Sequence, residues 1–384
     1  MQPMNGLLPG MLVAAAALAL AGPARGAGRP GPALKVDATL TQDYFRDVQG
    51  GRHRGGAGPG NLFAGITADG RAWGGSPDDR VRLRVLQTFG GSISNQAGDL
   101  QGLDNVEAYN TLKVYSAWYQ HRFGRSGVST RLGLQDYNAL FNTLDAASLF
   151  LNSSFGIPAT TAQSHVSQYP TTAVGAVLRW HSAGGAYALA GVYDGRPGDP
   201  DHPGGTHIHF EPGHGLFYAG ETGFRGGRGG RWKAALGGWY QTSDYTGATG
   251  RSRDRDHSVY LIAQAPLDSG GGATWNGFIQ LGSARRTTNV TGRYLGIGVN
   301  AAGLLPGRPK AVLGLGLARA YTTRAWRRAT PDAAQAETVM EVTWRFVPGD
   351  HLTLQPDVQY IIDPGATHRL DNAWLAGLRA RIDW

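Results

Sequence analysis

Residues 373–384 read Ala373-Trp374-Leu375-Ala376-Gly377-Leu378-Arg379-Ala380-Arg381-Ile382-Asp383-Trp384. Trp374, Ala376, Leu378, Ala380, Ile382 and Trp384 occupy one phase of a period of two, and Arg379, Arg381 and Asp383 occupy the other. Successive side chains of a strand point to opposite faces, so this stretch is a strand with one apolar and one polar face. Two other segments repeat the pattern: Leu352, Leu354 and Val358 oppose Thr353, Gln355, Asp357 and Gln359, and Val81, Leu83 and Val85 oppose Arg82 and Arg84.

Working outward, the chain after residue 37 divides into segments of about ten residues bounded by Gly, Pro, Asp, Asn and Ser. They are 38–45, 61–69, 80–88, 105–121, 128–137, 172–182, 186–194, 214–224, 231–241, 257–266, 273–283, 290–300, 310–321, 337–345, 351–361 and 373–384, sixteen expected strands. Alternation alone also suits a water-soluble sandwich. The connections discriminate. Long gaps such as 89–104, 138–171 and 195–213 take turns with short ones such as 122–127, 183–185 and 225–230. Hairpins that are long on one side and short on the other mark an even-stranded transmembrane β-barrel of the outer-membrane type, with short periplasmic turns and long extracellular loops. Closure also satisfies every backbone polar group in lipid. Trp118, Tyr119, Trp180, Tyr193, Trp232, Trp239, Tyr321 and Trp344 lie near segment ends, where their rings suit interfacial girdles. In Leu313-Gly314-Leu315-Gly316-Leu317 the leucines form a lipid face opposite a face without side chains.

The composition narrows the function classes. With 59 Gly, no every-third-residue repeat and no Cys in 384 residues, collagen, disulfide scaffolds and thiolate chemistry are excluded. The net charge of +8 is spread along the chain as scattered arginine, without the basic stripe of a nucleic-acid binder. The apolar run Met11–Ala21 followed by Gly22-Pro23-Ala24-Arg25-Gly26-Ala27 fits the core and small-residue cleavage region of an export signal, read as residues 1–27. No later stretch approaches the roughly 20 apolar residues a membrane helix needs. The expected organisation is a signal at 1–27, an N-terminal segment at 28–37 and one barrel over 38–384.

Two blocks carry a family resemblance: Arg131-Leu132-Gly133-Leu134-Gln135-Asp136-Tyr137-Asn138-Ala139-Leu140-Phe141 with Leu149–Gly156, and Leu354-Gln355-Pro356-Asp357-Val358-Gln359-Tyr360-Ile361-Ile362-Asp363-Pro364-Gly365. Over about residues 38–384 the chain resembles the carbohydrate-selective porins of Gram-negative outer membranes, the OprB family. The resemblance implies a sixteen-stranded barrel that passes sugars such as glucose by facilitated diffusion, narrowed by inward-folded extracellular loops. Asp363 stands where the family commonly has Asn before Pro-Gly, a change that keeps the turn chemistry.

The polar strand phase and the residues beside it supply expected channel-lining groups: Arg82, Arg84, Arg131, Gln135, Asp136, Glu337, Glu341, Gln355, Asp357, Gln359, Arg379, Arg381 and Asp383. Guanidinium forks donate and carboxylates accept, which suits sugar hydroxyls. The gap 138–171 is too long and too apolar to be a solvated loop, so it is the expected constriction, with Tyr137, Phe150 and Phe155 offering aromatic faces to a sugar ring. Trp384 is read as a terminal aromatic presented to the barrel-assembly machinery. Outer-membrane lipid, lipopolysaccharide and a homo-oligomer are the other expected partners, and no cofactor is called for. His207, His209 and His214 offer imidazoles to a metal, although a solvated loop is the plainer reading. The alternatives are a general, weakly anion-preferring pore and a barrel enzyme acting on lipid or glycan, for which Ser153, Ser154, Asp136 and His165 supply a triad's residue types without its geometry.

Overall fold

The computed structural model describes residues 33–199, 201–227, 231–243, 245–247, 250, 252–253, 255–267, 272–308 and 310–384. The export signal expected at 1–27 lies outside them. Sixteen antiparallel strands form the wall: β1 Leu34–Gly51, β2 Gly60–Asp69, β3 Asp79–Phe89, β4 Thr111–Arg122, β5 Val128–Gln135, β6 Ala173–His181, β7 Ala186–Asp194, β8 Leu216–Gly226, β9 Trp232–Gln241, β10 Asp256–Leu267, β11 Thr274–Ala284, β12 Thr291–Ala302, β13 Val312–Thr322, β14 Ala336–Arg345, β15 Leu352–Ile362 and β16 Asp371–Asp383. Each pairs with the next, and β1 closes on β16 through pairs such as Leu40↔Ile382 and Asp43↔Arg379. A three-residue strand, Gly55–Ala57, folds back onto β1 at Phe45↔Ala57.

All sixteen expected segments contain strands, and among the boundaries that move three have a plain physical reason. The segment 28–37 is not wholly outside the barrel, because Leu34 to Asp37 already pair with Ala68 to Gly65 of β2. The fourth strand begins at Thr111 and not at residue 105: the Asn105 N–H donates to Leu151 O at 2.8 Å, so this stretch is held by another loop. The fifth ends at Gln135, where Asp136 turns the chain by accepting from the Asn138 N–H at 2.7 Å.

Burial is inverted relative to a water-soluble protein. Leu83, Leu132, Leu178, Leu236, Leu315, Val342 and Leu378 are exposed on the outer face, while Gln135, Glu221, Lys233, Gln280, Glu337, Glu341 and Gln359 are buried inside. The long connections 90–110 and 136–172 share one side of the barrel and fold into it. Leu149, Phe150, Leu151 and Phe155 join Ile93 and Leu103 in an apolar core completed by Tyr260, Ile262, Phe278, Tyr294, Val339 and Ile361 of the wall.

The lumen glycines explain how this core fits. A Cβ on Gly316 would sit 2.7 Å from Phe150 and 2.8 Å from Phe155, and one on Gly314 would sit 2.7 Å from Leu149. The side-chain-free face of β13 is therefore a socket for the loop and is not open water. Gly298 makes the same kind of room for Phe278, and Gly377 for Phe45.

Candidate channel and its constriction

The segment 136–172 crosses the barrel mouth fastened at each step to wall side chains. Glu221 accepts from the Asn142 N–H at 2.7 Å and from the hydroxyls of Tyr187 and Tyr260, each at 2.7 Å, and it pairs with Lys233 at 3.2 Å. Further along, Asn300 donates to Ala146 O, Gln355 to Leu149 O and Gln280 to Phe155 O, at 2.7, 2.7 and 2.9 Å. Glu341 accepts from the Leu151 and Asn152 amides at 2.6 and 3.0 Å. The connection 90–110 is held similarly: Glu337 accepts from the Leu100, Gln101 and Gly365 amides, and Gln359 donates to Leu103 O at 3.0 Å. Hydrogen bonds to a buried carboxylate are strong and are costly to leave unmade, so these contacts rigidify both loops.

Several expected lining residues are therefore fasteners. Glu337, Glu341 and Gln359 lie beneath the loops at 1% exposure or less, and Asp357 accepts from Gln359 at 3.0 Å. Gln135 is buried against Gly175 O at 2.9 Å. Tyr137, Phe150 and Phe155 do not present their faces to the passage. Tyr137 stacks on Phe141 at 5.0 Å, and Phe150 packs on Phe155 at 4.6 Å in the glycine socket. Burying these apolar rings against the wall removes them from water, which outweighs leaving them in an aqueous lumen.

Beside these loops the barrel holds a cavity of about 660 Å³. Arg84, Arg345, Arg379, Arg381, Asp136 and Asp383 supply its charges, and Phe63, Tyr115 and Tyr169 its rings. Arg379 is neutralised by Asp43 at 2.6 Å and Asp104 at 3.1 Å and also donates to Asn105 at 2.8 Å. Arg381 pairs with Asp383 at 2.7 Å. Arg84 lies 3.7 Å over the Phe63 ring, and among the described residues neither Arg84 nor Arg345 has a hydrogen-bonded or ion-paired partner. Outside the cavity lining, Arg82 is paired with Asp37 at 2.9 Å, and Arg131 lies 4.0 Å over Trp118 while donating to Gln120 at 3.0 Å.

Asp136 receives the Tyr115 hydroxyl, and burial pushes its carboxyl up to about 6. Burial and the neighbouring Asp43 raise Asp104 well above the usual carboxylate range, with Arg379 acting in the opposite direction. Tyr169 borders both this cavity and a second one, about 340 Å³, under the connection 195–215, and its hydroxyl is held by Val106 O at 2.7 Å. It is the aromatic face at the junction.

Arg345 was legible as the continuation of the Glu337, Glu341, Thr343 phase and was missed. Tyr169 and Asn105 sit on irregular loops and carry no periodic signal. In the connection 195–215, ligand atoms of His207 and His209 gather with Asp199 within 4.8 Å of one another. His214 does not join them: it lies 4.0 Å from Asp194 and 3.6 Å from Glu211. Ser154 donates to Asn152 at 2.7 Å and Asp136 holds Tyr115, so both of these candidate triad residues serve to fix the loop. Trp384 ends the closure seam, its N–H donating to Ala38 O at 3.0 Å.

Comparison with known proteins agrees with this architecture. Porin B of Pseudomonas aeruginosa is 28% identical over 159 residues, covering 36% of this chain and 35% of that protein, so the match spans about a third of the relative. The high-pH structure of Pseudomonas putida OprB superposes with a TM-score of 0.80 at 17% identity over 92% of this chain and 94% of that one. The outer-membrane channel DcaP of Acinetobacter baumannii gives 0.56 at 10% identity over 91% and 97%. The model of the carbohydrate-selective porin, OprB family, matches residues 53–384. The chain belongs to this family of outer-membrane porins.

Proposed function

We propose that the protein passes small sugars, with glucose-sized monosaccharides as the leading class, by passive diffusion through the 660 Å³ cavity and past Tyr169. One observation carries this reading: Arg84 and Arg345, whose donors find no partner among the described residues, share a cavity with the rings of Phe63, Tyr115 and Tyr169 and with acceptors on Asp136 and Asn105. A pyranose has hydroxyls around its edge and apolar C–H faces, and it needs both kinds of contact as it sheds water. Family membership supports the same reading, and it supports a channel over an enzyme.

Liposome swelling with glucose, maltose and a size-matched uncharged non-sugar, together with ion conductance in planar bilayers, tests the proposal. Glucose should enter faster than the non-sugar and reduce ion current saturably. Entry that depends on size alone would replace it with the second reading, a general anion-preferring pore, which the two uncompensated guanidiniums favour. Deleting 143–165 should raise conductance in a barrel that still folds, because this segment fills the lumen beside the passage.

A further inference from the structure

Six arginines gather at the long-loop end of the barrel around β12 and β13. Arg293 and Arg319 are exposed and project outward, flanking the Tyr321 ring at 5.3 and 5.1 Å from its centroid. They stand in the same columns as Leu295 and Ile297 on β12 and Leu317 and Leu315 on β13, of which Ile297 and Leu315 are 41% and 44% exposed. One two-residue step along a strand is roughly 7 Å, so these guanidiniums lie just above the apolar belt, at the level where a lipid headgroup begins. Beside them, Arg286 from the β11–β12 connection and Arg324, Arg327 and Arg328 from the short helix Arg324–Ala329 line a cavity of about 460 Å³ with Gly292 and Thr323.

The described residues of the protein do not neutralise this cluster. Among the described residues, Arg286, Arg293, Arg319, Arg324 and Arg328 have no carboxylate partner. Asp332, four residues beyond Arg328, is already paired with Arg369 at 2.8 Å. Arg327 turns inward to Thr322 O at 2.5 Å. Like charges brought together at a low-dielectric surface repel strongly unless an anion joins them. Guanidinium forks match phosphate oxygens bidentately, and Arg293 and Arg319 hold theirs on either side of the Tyr321 ring.

We propose that this rim is a binding site for phosphates carried on a lipid of the outer leaflet, the phosphorylated glucosamine headgroup of lipopolysaccharide. A lipid-borne phosphate is favoured over a free one because the arginines continue directly into the Leu295, Ile297, Leu315 and Leu317 face. An acyl chain and its headgroup would touch both at once, whereas a soluble anion uses only the upper half. The site is on the outside of the barrel and does not depend on which solute crosses the lumen.

The test uses the full-length folded protein in detergent, titrated with rough lipopolysaccharide and read by native mass spectrometry. The variant combines Arg286→Gln, Arg293→Gln, Arg319→Gln and Arg328→Gln. Arg122→Gln with Arg125→Gln, at the short-turn end, is the control. The lipid-bound fraction should fall at least tenfold in the rim variant and stay unchanged in the control, and dephosphorylated lipid A should bind the parent protein as weakly as intact lipid binds the rim variant. Equal retention by a rim variant of normal heat-modifiability and conductance would overturn the site. Displacement of the lipid by millimolar inorganic phosphate would overturn the lipid assignment and leave a plain anion site. If the fourfold variant fails to fold, Arg293→Gln and Arg319→Gln singly should each weaken binding several-fold, and no weakening in either overturns the proposal.

Discussion

Glu341 on β14 accepts the backbone N–H of Leu151 at 2.6 Å across a sequence separation of 190 residues, and so locks the inserted loop to the wall. Its second oxygen takes the Asn152 N–H at 3.0 Å. One carboxylate thus satisfies the amides of two fully buried residues.

Replacing Glu341 with Ala should leave both amides unsatisfied, at about 1–3 kcal/mol each. The barrel should still close, because no ladder pair is lost. Single-channel recordings should then show larger current noise and limited proteolysis should cut within 143–165; quiet channels with a protected loop would show that the clamp is dispensable.

Gly316→Val should push Phe150 and Phe155 out of their socket. Overpacking of this kind typically costs about 1–3 kcal/mol, so the temperature at which the band shifts on a heat-modifiability gel should drop. Gly349→Ala, where an added Cβ meets nothing within 4 Å, should leave that temperature unchanged.

Arg84→Gln and Arg345→Gln together should remove the two cavity guanidiniums that lack partners. The zero-current potential in a salt gradient should move toward cation preference while folding is retained. Arg82→Gln should move it less, because Asp37 already compensates Arg82 at 2.9 Å. An equal shift in both experiments would place the controlling charge elsewhere.

Asp136 links pH to both stability and selectivity. Its carboxyl titrates at about 6 in the folded protein and near 3.9 when unfolded, so the native state binds more protons between these values. Its contribution to stability therefore falls as pH rises from about 4 to 6 and is level above that. Across the same window the cavity gains a negative charge facing Arg84, and anion preference should decline. Asp136→Asn should flatten its part of both profiles, which denaturation midpoints and reversal potentials between pH 4 and 7 would reveal.

The wall was legible because lipid outside and polar groups inside impose a two-residue period: Leu83 against Arg82 and Val358 against Asp357 could be assigned with no knowledge of the fold. The interior was not legible to the same degree. Facing inward suggested facing water for Glu337 and Gln359, yet loop backbone covers both. That cover depends on contacts such as Gly316 with Phe150, which join chain positions too distant for any local pattern to connect. Phe150 and Phe155 are too apolar for a solvated loop, but the side of the loop they occupy depends on a socket built by another strand. Tyr169 and Asn105 line the passage from irregular backbone, where no repeat announces them.

The cavity takes lining residues from β1 to β4 and from β14 to β16, and none from β6 to β13. The cavity therefore lies beside the seam where the first and last strands meet, while the inserted loop beds on the opposite arc and is clamped from the seam side by Glu341 of β14 and Gln355 of β15. Mutational tolerance should divide along the same meridian: substitutions around the seam would retune what crosses, and substitutions on the far arc would be felt first as lost assembly. A library aimed at new cargo can leave half the circumference untouched.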